Sequence, residues 1–133
     1  MKYNIHVTQS AERDMANAYD YIDLVLKNPT AADKLLDVAD EKIGAQADFP
    51  HKFEVVADKL LSLWGIRFTN VMNYLAFYTV DDATQTVHIV RFLYGKSNWI
   101  TILKTDAAQI VEKLLGPLWE GAPPAGGGGE SFT

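Results

Sequence analysis

The sequence predicts an α+β domain of two layers, an antiparallel sheet of about four strands with an N-terminal helical hairpin on one face. Two apolar runs rich in aromatic and β-branched residues, Tyr74–Val80 and Val87–Tyr94, flank a short polar segment, which predicts a β-hairpin. Between residues 15 and 43, apolar residues recur at steps of three and four, the spacing of amphipathic helices. The 133 residues are 48% hydrophobic, enough for one compact core. The predicted order is β-α-α-β-β-β-α.

The first element is a strand, because apolar and polar residues alternate from Tyr3 to Thr8. This places Tyr3, Ile5 and Val7 on the buried face. His6 falls on the opposite face. A surface or edge role is predicted for it, since no second histidine or acid cluster accompanies it in the sequence.

Two helices follow. Ser10 is the predicted N-cap of the first, which ends at Asn28-Pro29. Thr30 is predicted to start the second, whose apolar face extends to Ile43. Because the connection between the two helices is so short, they are predicted to form an antiparallel helical hairpin. Its apolar stripe either packs on the sheet, which we favour, or binds a partner.

The second half of the chain supplies the other strands. Residues 51–62 predict a loop or a short helical turn, and a strand is predicted from Leu63 to Val71. The last strand is apolar on both faces, which is typical of a central strand. Strict alternation puts Arg91 on the face of Val87 and Ile89, and Phe92 on the other face.

The C-terminal part predicts a helix and a tail. Thr105 is the predicted cap of a short helix that Gly116-Pro117 ends. The Pro/Gly-rich stretch that follows has the composition of a flexible tail. The predicted domain therefore covers residues 1–116, and the tail covers residues 117–133.

Several classes of protein are excluded or disfavoured by composition. The chain has no cysteine, so disulfides, thiolate zinc sites and a cysteine nucleophile are excluded. It shows no metal-ligand spacing and no phosphate-cradling glycine loop, which predicts neither metal nor cofactor. No apolar run approaches the ~20 residues that span a bilayer, and the N-terminus lacks an apolar signal core. A cytoplasmic protein is expected.

Charge is unevenly distributed around a net charge of −5. Residues 10–48 contain nine acidic and four basic residues, whereas residues 51–105 contain six basic and four acidic ones. Two interpretations stay open. Both stretches are solvated faces, or the mildly basic side of the sheet faces an anionic partner.

The order and spacing of several short sequence segments are informative about the family of the protein. These segments are Tyr3-Asn4-Ile5, Phe49-Pro50, Gly65-Ile66-Arg67, Val71 to Tyr78, Val87 to Lys96, and Asn98-Trp99. Over roughly residues 1–104, they resemble the RelE/ParE superfamily of toxins from type II toxin–antitoxin systems. The resemblance implies a small cytoplasmic toxin and a cognate antitoxin that wraps around it. A segment of the antitoxin would lie over the sheet and the helical hairpin. RelE-type members cut mRNA on the ribosome, and ParE-type members inhibit DNA gyrase.

The resemblance also implies where a nuclease site would lie. Arg67, Lys96 and Tyr94 would carry the chemistry of an mRNA interferase, which needs cations on the phosphate and groups that move protons. However, Ser97 and Leu103 stand where nuclease members often have Arg and Tyr. The incomplete set favours a ParE-like protein that binds a protein target such as DNA gyrase. An interferase and a non-toxic antitoxin-binding member remain alternatives.

Contacts with a target or an antitoxin are expected near the ends of the predicted hairpin. The candidates are polar, basic or aromatic: Arg67, Asn73, Arg91, Lys96, Asn98 and Trp99. Two of them have structural alternatives, because Arg67 could instead brace the sheet edge and Trp99 could plug the core. An exposed groove along the helical hairpin and the sheet edge is expected for the antitoxin, and a homodimer is an alternative cover for it.

Overall fold

The computed structural model describes residues 2–106. The strands are β1 (Asn4–Val7), β2 (Arg67–Val71), β3 (Tyr74–Asp81) and β4 (Thr86–Tyr94), and the helices are α1 (Gln9–Asp20), α2 (Pro29–Gly44) and α3 (Lys59–Leu63). A π-helical turn, Tyr21–Val25, continues α1, and a 3-10 turn, Ala45–Ala47, follows α2. Within residues 2–106, no helix is long and apolar enough to cross a membrane.

The chain divides into two compact units, Met1–Trp99 and Ile100–Thr133. The first contains the whole sheet and the helical hairpin. In the second, the described residues 100–106 are helical. The predicted tail, residues 117–133, and the predicted domain end at residue 116 lie outside the described residues.

The four strands form one sheet in the order β1-β4-β3-β2. The predicted α+β class and the order of elements are confirmed. The sheet is mixed, however, because β1 pairs parallel with β4 while the other two pairs are antiparallel. Alternation of apolar residues reads the same in both directions along a strand, so it predicted the strands without fixing their directions. As predicted, β4 is central.

The first helix begins earlier than predicted, because Thr8 and not Ser10 caps it. The Thr8 hydroxyl accepts a hydrogen bond from the Ala11 amide at 3.2 Å. The same hydroxyl lies 2.9 Å from the Ile89 carbonyl oxygen of β4, to which it donates. One side chain therefore joins the end of β1, the start of α1 and the neighbouring strand.

The connection between the two long helices is short and closely bonded. The Asn28 side chain caps α2 by accepting from the Ala31 amide at 3.1 Å. Pro29 occupies the first turn, where its fixed φ suits a helix, so α2 starts one residue before the predicted position. Lys27 adopts a φ of 55°, which turns the chain out of the π-helical turn.

The strand that was predicted from Leu63 to Val71 is shorter in the structure, because Leu63 ends the short helix α3 and residues 64 and 65 form a turn. The Asp58 side chain caps α3 by accepting from the Leu61 amide at 3.1 Å. Gly65 ends the helical stretch with a φ of 72°, a conformation that glycine adopts without a steric penalty. As a result, β2 starts only at Arg67.

The predicted C-terminal helix also starts earlier in the structure. Residues 99–106 are helical, so Thr105 lies inside the helix and does not cap it. Apolar residues at positions 99, 102 and 103 already have helical spacing. The predicted end of this helix, at Gly116-Pro117, falls outside the described residues.

The main core lies between the helical hairpin and one face of the sheet. Its five helical members are small or branched aliphatic residues that let the helices lie close to the strands. The cluster contains Ala11, Ala18, Leu35, Ala39 and Ile43 from the helices, and Val71, Ala76, Tyr78, Val87, Ile89 and Phe92 from the sheet.

A β-bulge changes the pattern of faces in β4. The partner of Tyr78 is Ile89, whereas the partner of Phe77 is Arg91, so β4 contains one extra residue at this point. A bulge shifts the alternation of side chains by one residue. Phe92 therefore joins the core beneath the hairpin, and its predicted position on the opposite face is wrong.

The bulge is held by a carboxylate from α1. Asp14 accepts from Nε of Arg91 at 2.6 Å and from its terminal nitrogen at 3.0 Å. The same carboxylate accepts from the Phe92 amide at 3.0 Å. The Arg91 and Asp14 side chains are only 20% and 13% exposed. This bidentate pair thus fixes α1 against the irregular part of β4.

Replacing Asp14 by Ala is expected to lower the free energy of unfolding by about 3 kcal/mol, because a mostly buried guanidinium and an amide would lose their acceptor. Urea unfolding of the full chain measures this. Lys2→Ala is the matched control, since the Lys2–Asp48 pair spans 3.8 Å with side chains 78% and 49% exposed. The control should change the free energy by less than about 0.5 kcal/mol. Equal losses would contradict the structural role of the Asp14 pair.

A second polar cluster joins three segments at the other end of the sheet. Asp82 Oδ1 accepts from the Tyr3 hydroxyl at 2.6 Å and lies 2.9 Å from His51 Nε2. These two hydrogen bonds lower the pKa of Asp82, and the bond to Asp82 raises the pKa of Tyr3. The carboxylate therefore links the start of β1, the residue 51 loop and the turn after β3.

The Asp82 cluster predicts a pH dependence. Because the pKa of Asp82 is lower in the folded chain, its stabilising effect is present above the ordinary aspartate value of about 3.9 and is lost as pH falls below it. Asp82→Ala should therefore lower the thermal midpoint at pH 7, and this difference from the wild type should be smaller near pH 3. Thermal unfolding at both pH values tests this. If the wild type and the variant differed in thermal midpoint by the same amount at both pH values, the charge of the carboxylate would not contribute to stability.

Candidate functional site

An open groove of about 810 Å³ runs between β1, α1 and α2. β1 is the outermost strand on this side of the sheet. The floor of the groove is apolar, and its lining includes the side chains of Ile5, Val7, Met15, Ala16, Leu36 and Ile43. The groove therefore has the size and lining of a binding site for an extended or helical segment.

The rim of the groove is acidic. Its carboxylates come from both helices and are Glu12, Asp20, Asp33 and Asp40. Among the residues that line the groove in the described part of the chain, none is lysine or arginine. Tyr19 donates to Asp33 at 2.9 Å, and this bond raises the pKa of the tyrosine. A partner with apolar anchors and basic flanks would match this groove.

The free edge of β1 borders the same groove. The Asn4 amide donates at 2.8 Å to the carbonyl of Gln85, which directly precedes β4, and the Thr8 amide donates at 3.0 Å to the carbonyl of Ile89 in β4. Since backbone groups alternate in direction along a strand, those of Ile5 and Val7 point away from β4, towards the open edge. Such an edge can pair with an extended segment of another chain.

An exposed apolar surface continues beyond the end of the groove, at the tip of the helical hairpin. Tyr21, Leu24, Val25 and Leu26 are 51%, 67%, 63% and 55% exposed. They follow Asp20, which lines the groove, directly in sequence. Contiguous exposed apolar side chains are typical of surfaces that bind other proteins.

Arg67 braces the sheet edge. Its guanidinium donates to the Phe53 carbonyl oxygen. Beside it, the buried Tyr78 hydroxyl donates to the Pro50 carbonyl at 3.0 Å, and burial raises the pKa of Tyr78 to about 12. The two side chains together hold residues 50–53 against β2 and β3.

Asn73, Tyr94 and Lys96 lie together at the opposite end of the sheet. The Gly95 amide donates to the Asn73 carbonyl at 2.8 Å. A Cβ atom at Gly95 would lie 3.1 Å from that oxygen, which explains the glycine in this turn. Tyr94 packs edge-on against Tyr74, with ring centroids 5.7 Å apart, and Lys96 is exposed.

The strand register separates Arg67 from Lys96 and Tyr94. Arg67 is opposite Tyr78, whereas Tyr94 is opposite Tyr74, at the other end of β3. This amounts to about 13 Å along the strands and about 10 Å across them. The three residues proposed for an interferase are therefore not brought together.

The remaining predicted contact residues differ in exposure. Arg91 is engaged with Asp14. Asn98 is exposed. Trp99 packs on Phe77 and Phe68, at centroid distances of 5.1 Å and 6.2 Å, and so fills space on the sheet face opposite the hairpin.

Two parts of the surface were not singled out from the sequence. The acidic rim was visible only as an excess of acids in residues 10–48. His6 and His88 lie within hydrogen-bond distance, which only the pairing of β1 with β4 shows. No local pattern connects residues so far apart in sequence.

The bracing role of Arg67 predicts a local change in dynamics. Replacing Arg67 by Gln should raise hydrogen exchange of the Lys52 and Val56 amides about tenfold, because a hydrogen bond to a charged group is worth about 1.5 kcal/mol. Mass spectrometry of peptides covering residues 50–56 measures it. Lys96→Gln is the control and should leave exchange in these peptides unchanged. Unchanged exchange in both variants would contradict the bracing role.

Comparisons with known proteins point to toxin–antitoxin systems. Residues 5–99 match the sequence profile of a family described as the ParE toxin of the type II toxin–antitoxin system parDE. A chain of the toxin–antitoxin complex RelBE2 from Mycobacterium tuberculosis is 20% identical, with a TM-score of 0.52 over 71% of this chain and 99% of the other. A chain of the chromosomal ParDE system from P. aeruginosa is 18% identical, with a TM-score of 0.55 over 70% and 96%. No curated sequence matches.

Proposed function

The chain belongs to the family of ParE toxins of type II toxin–antitoxin systems, and from this we propose that it acts in the cytoplasm by binding a protein target such as DNA gyrase. We further propose that a segment of its cognate antitoxin occupies the groove of β1, α1 and α2. The observation that carries the antitoxin part is the combination of an apolar floor, an acidic rim and an open strand edge in one groove.

The chemistry of the groove defines the antitoxin segment. Apolar side chains of the segment would pack on Ile5, Val7 and Met15. Lysine or arginine side chains would lie beside the carboxylates of the rim, where they would also speed association. The two similar structures named above come from a toxin–antitoxin complex and from a toxin–antitoxin system, which is consistent with a partner of this kind.

The target part of the proposal follows from the strand register. RNA cleavage needs phosphate-binding cations and a proton donor within reach of one scissile bond. Arg67 is about 13 Å along the strands from the end that carries Lys96 and Tyr94. It is also engaged with the Phe53 carbonyl. A binding protein needs no such convergence, so target binding fits this arrangement better than an interferase does.

The groove predicts a charge effect on antitoxin binding. The double variant Asp33→Lys and Asp40→Lys should weaken binding of the cognate antitoxin at least about 30-fold, mostly at low salt, because it reverses the rim charge. Fluorescence titration with labelled antitoxin measures the affinity. Asp37→Lys is the matched control, since Asp37 is exposed on α2 but does not line the groove. A control that weakens binding as much would place the antitoxin elsewhere.

Induction in a bacterial host tests the proposed target. We expect growth arrest with altered plasmid supercoiling and intact mRNA, as for a protein that acts on gyrase. Supercoiling gels and primer extension on cellular mRNA provide the two readouts. Codon-phased cuts in mRNA that disappear in Lys96→Ala would overturn the proposal in favour of an interferase. Normal growth would favour a non-toxic member that retains antitoxin binding.

A further inference from the structure

We propose that His6 and His88 form a binding site for a divalent transition-metal ion, with Ni²⁺ or Cu²⁺ preferred over Zn²⁺. The pair lies on the sheet face opposite the helical hairpin, away from the antitoxin groove. It belongs to neither the groove nor the Arg67 brace, and it stands apart from the proposed toxin function.

The strand register creates the pair. β1 and β4 run parallel, and His6 is the direct partner of His88. The two Nδ1 atoms are 2.9 Å apart, with ring centroids at 5.1 Å and ring planes at 90°. Since neighbouring strands hold their backbones about 4.8 Å apart, both rings can reach one ion without movement of the sheet.

The distance between the two nitrogens favours a metal with ligands at right angles. Imidazole nitrogens lie about 2.0–2.1 Å from such ions, so two of them at 90° are about 2.9 Å apart, and at a tetrahedral angle about 3.4 Å. The observed 2.9 Å matches the first arrangement. Square-planar Cu²⁺ and octahedral Ni²⁺ therefore suit this pair at the present separation of its nitrogens, whereas tetrahedral Zn²⁺ would require the nitrogens to move about 0.5 Å further apart.

Metal binding requires a change of proton position and a small rotation of the rings. In the pair as it stands, one Nδ1–H donates to the other Nδ1. To bind through both Nδ1 atoms, the donor ring releases this proton to water and takes one at Nε2, so both rings stay neutral. His6 is exposed, so water can exchange this proton.

The strand neighbours of the pair on this face are uncharged. Thr79 is the partner of His88 on β3, and Asn4 and Thr86 form the next pair on the same face. The exposed side of His6 leaves further coordination positions open to water. The net charge of −5 also favours binding of a cation.

The site has two protein ligands, and this limits its strength. Within residues 2–106, no group of three or more His, Cys, Asp or Glu side chains could hold a metal ion. The sequence-based expectation of no metal rested on local ligand spacing, which does not register two histidines on separate strands. A bound ion would link the edge strand β1 to the central strand β4.

Titration of the full chain with NiCl₂, followed by calorimetry, tests the proposal. The chain has three histidines, so His51→Ala is the matched control, because His51 bonds to Asp82 instead. His6→Ala and His88→Ala should each weaken Ni²⁺ binding at least about tenfold, and His51→Ala less than about twofold. ZnCl₂ should bind the wild type more weakly than NiCl₂. Equal Ni²⁺ affinity in the wild type and His6→Ala would overturn the site.

A second measurement does not depend on the folding of any variant. Paramagnetic Ni²⁺ added to the wild type should broaden the imidazole NMR signals of His6 and His88 before those of His51. Broadening of His51 first, or of all three equally, would overturn the proposal. Wild-type binding of Zn²⁺ as tight as of Ni²⁺ would contradict the right-angle geometry.

Discussion

The bulge in β4, held by the carboxylate of Asp14, determines how the helical hairpin lies on the sheet. Without the extra residue, strict alternation would turn Phe92 away from the helices. With it, Phe92 joins the core, and its amide reaches Asp14 together with the Arg91 guanidinium. This single carboxylate sets where α1 crosses β4. Since α1 forms one wall of the groove, the same contact also affects the shape of the groove.

Much of the fold follows from local sequence pattern. Alternation in Tyr3–Thr8 and the two runs around Asp81 predicted strands, and the structure has them there. Contacts between elements that are distant in sequence could not be predicted from local pattern. The direction of β1 depends on pairing with a strand about eighty residues away, and the bulge depends on Asp14, which comes from another element. The cap at Thr8 was missed for the same reason, because its hydroxyl is also held by β4.

The candidate site was predictable only in outline. The excess of acids between residues 10 and 48 was visible, but its arrangement around one groove needs the packing of α1 on α2. Arg67 had two equal interpretations in the sequence, and its bond to the Phe53 carbonyl gives it a structural role. Lys96 kept its exposed position in the turn after β4. Arg67 and Lys96, two of the three residues predicted for an interferase, therefore lie near opposite ends of the sheet.

The two proposed binding surfaces of β1 depend on one register. Ile5 and Val7 face the groove, while His6 between them points to the other side of the sheet and meets His88. A slip of β1 by one residue against β4 would turn the apolar residues out of the groove and separate the histidines at once, because side chains alternate along a strand. The Thr8 hydroxyl, bonded to the Ile89 carbonyl and to the first turn of α1, opposes that slip. A strand of four residues can thus serve both surfaces because its end is fixed to a helix and to its neighbour.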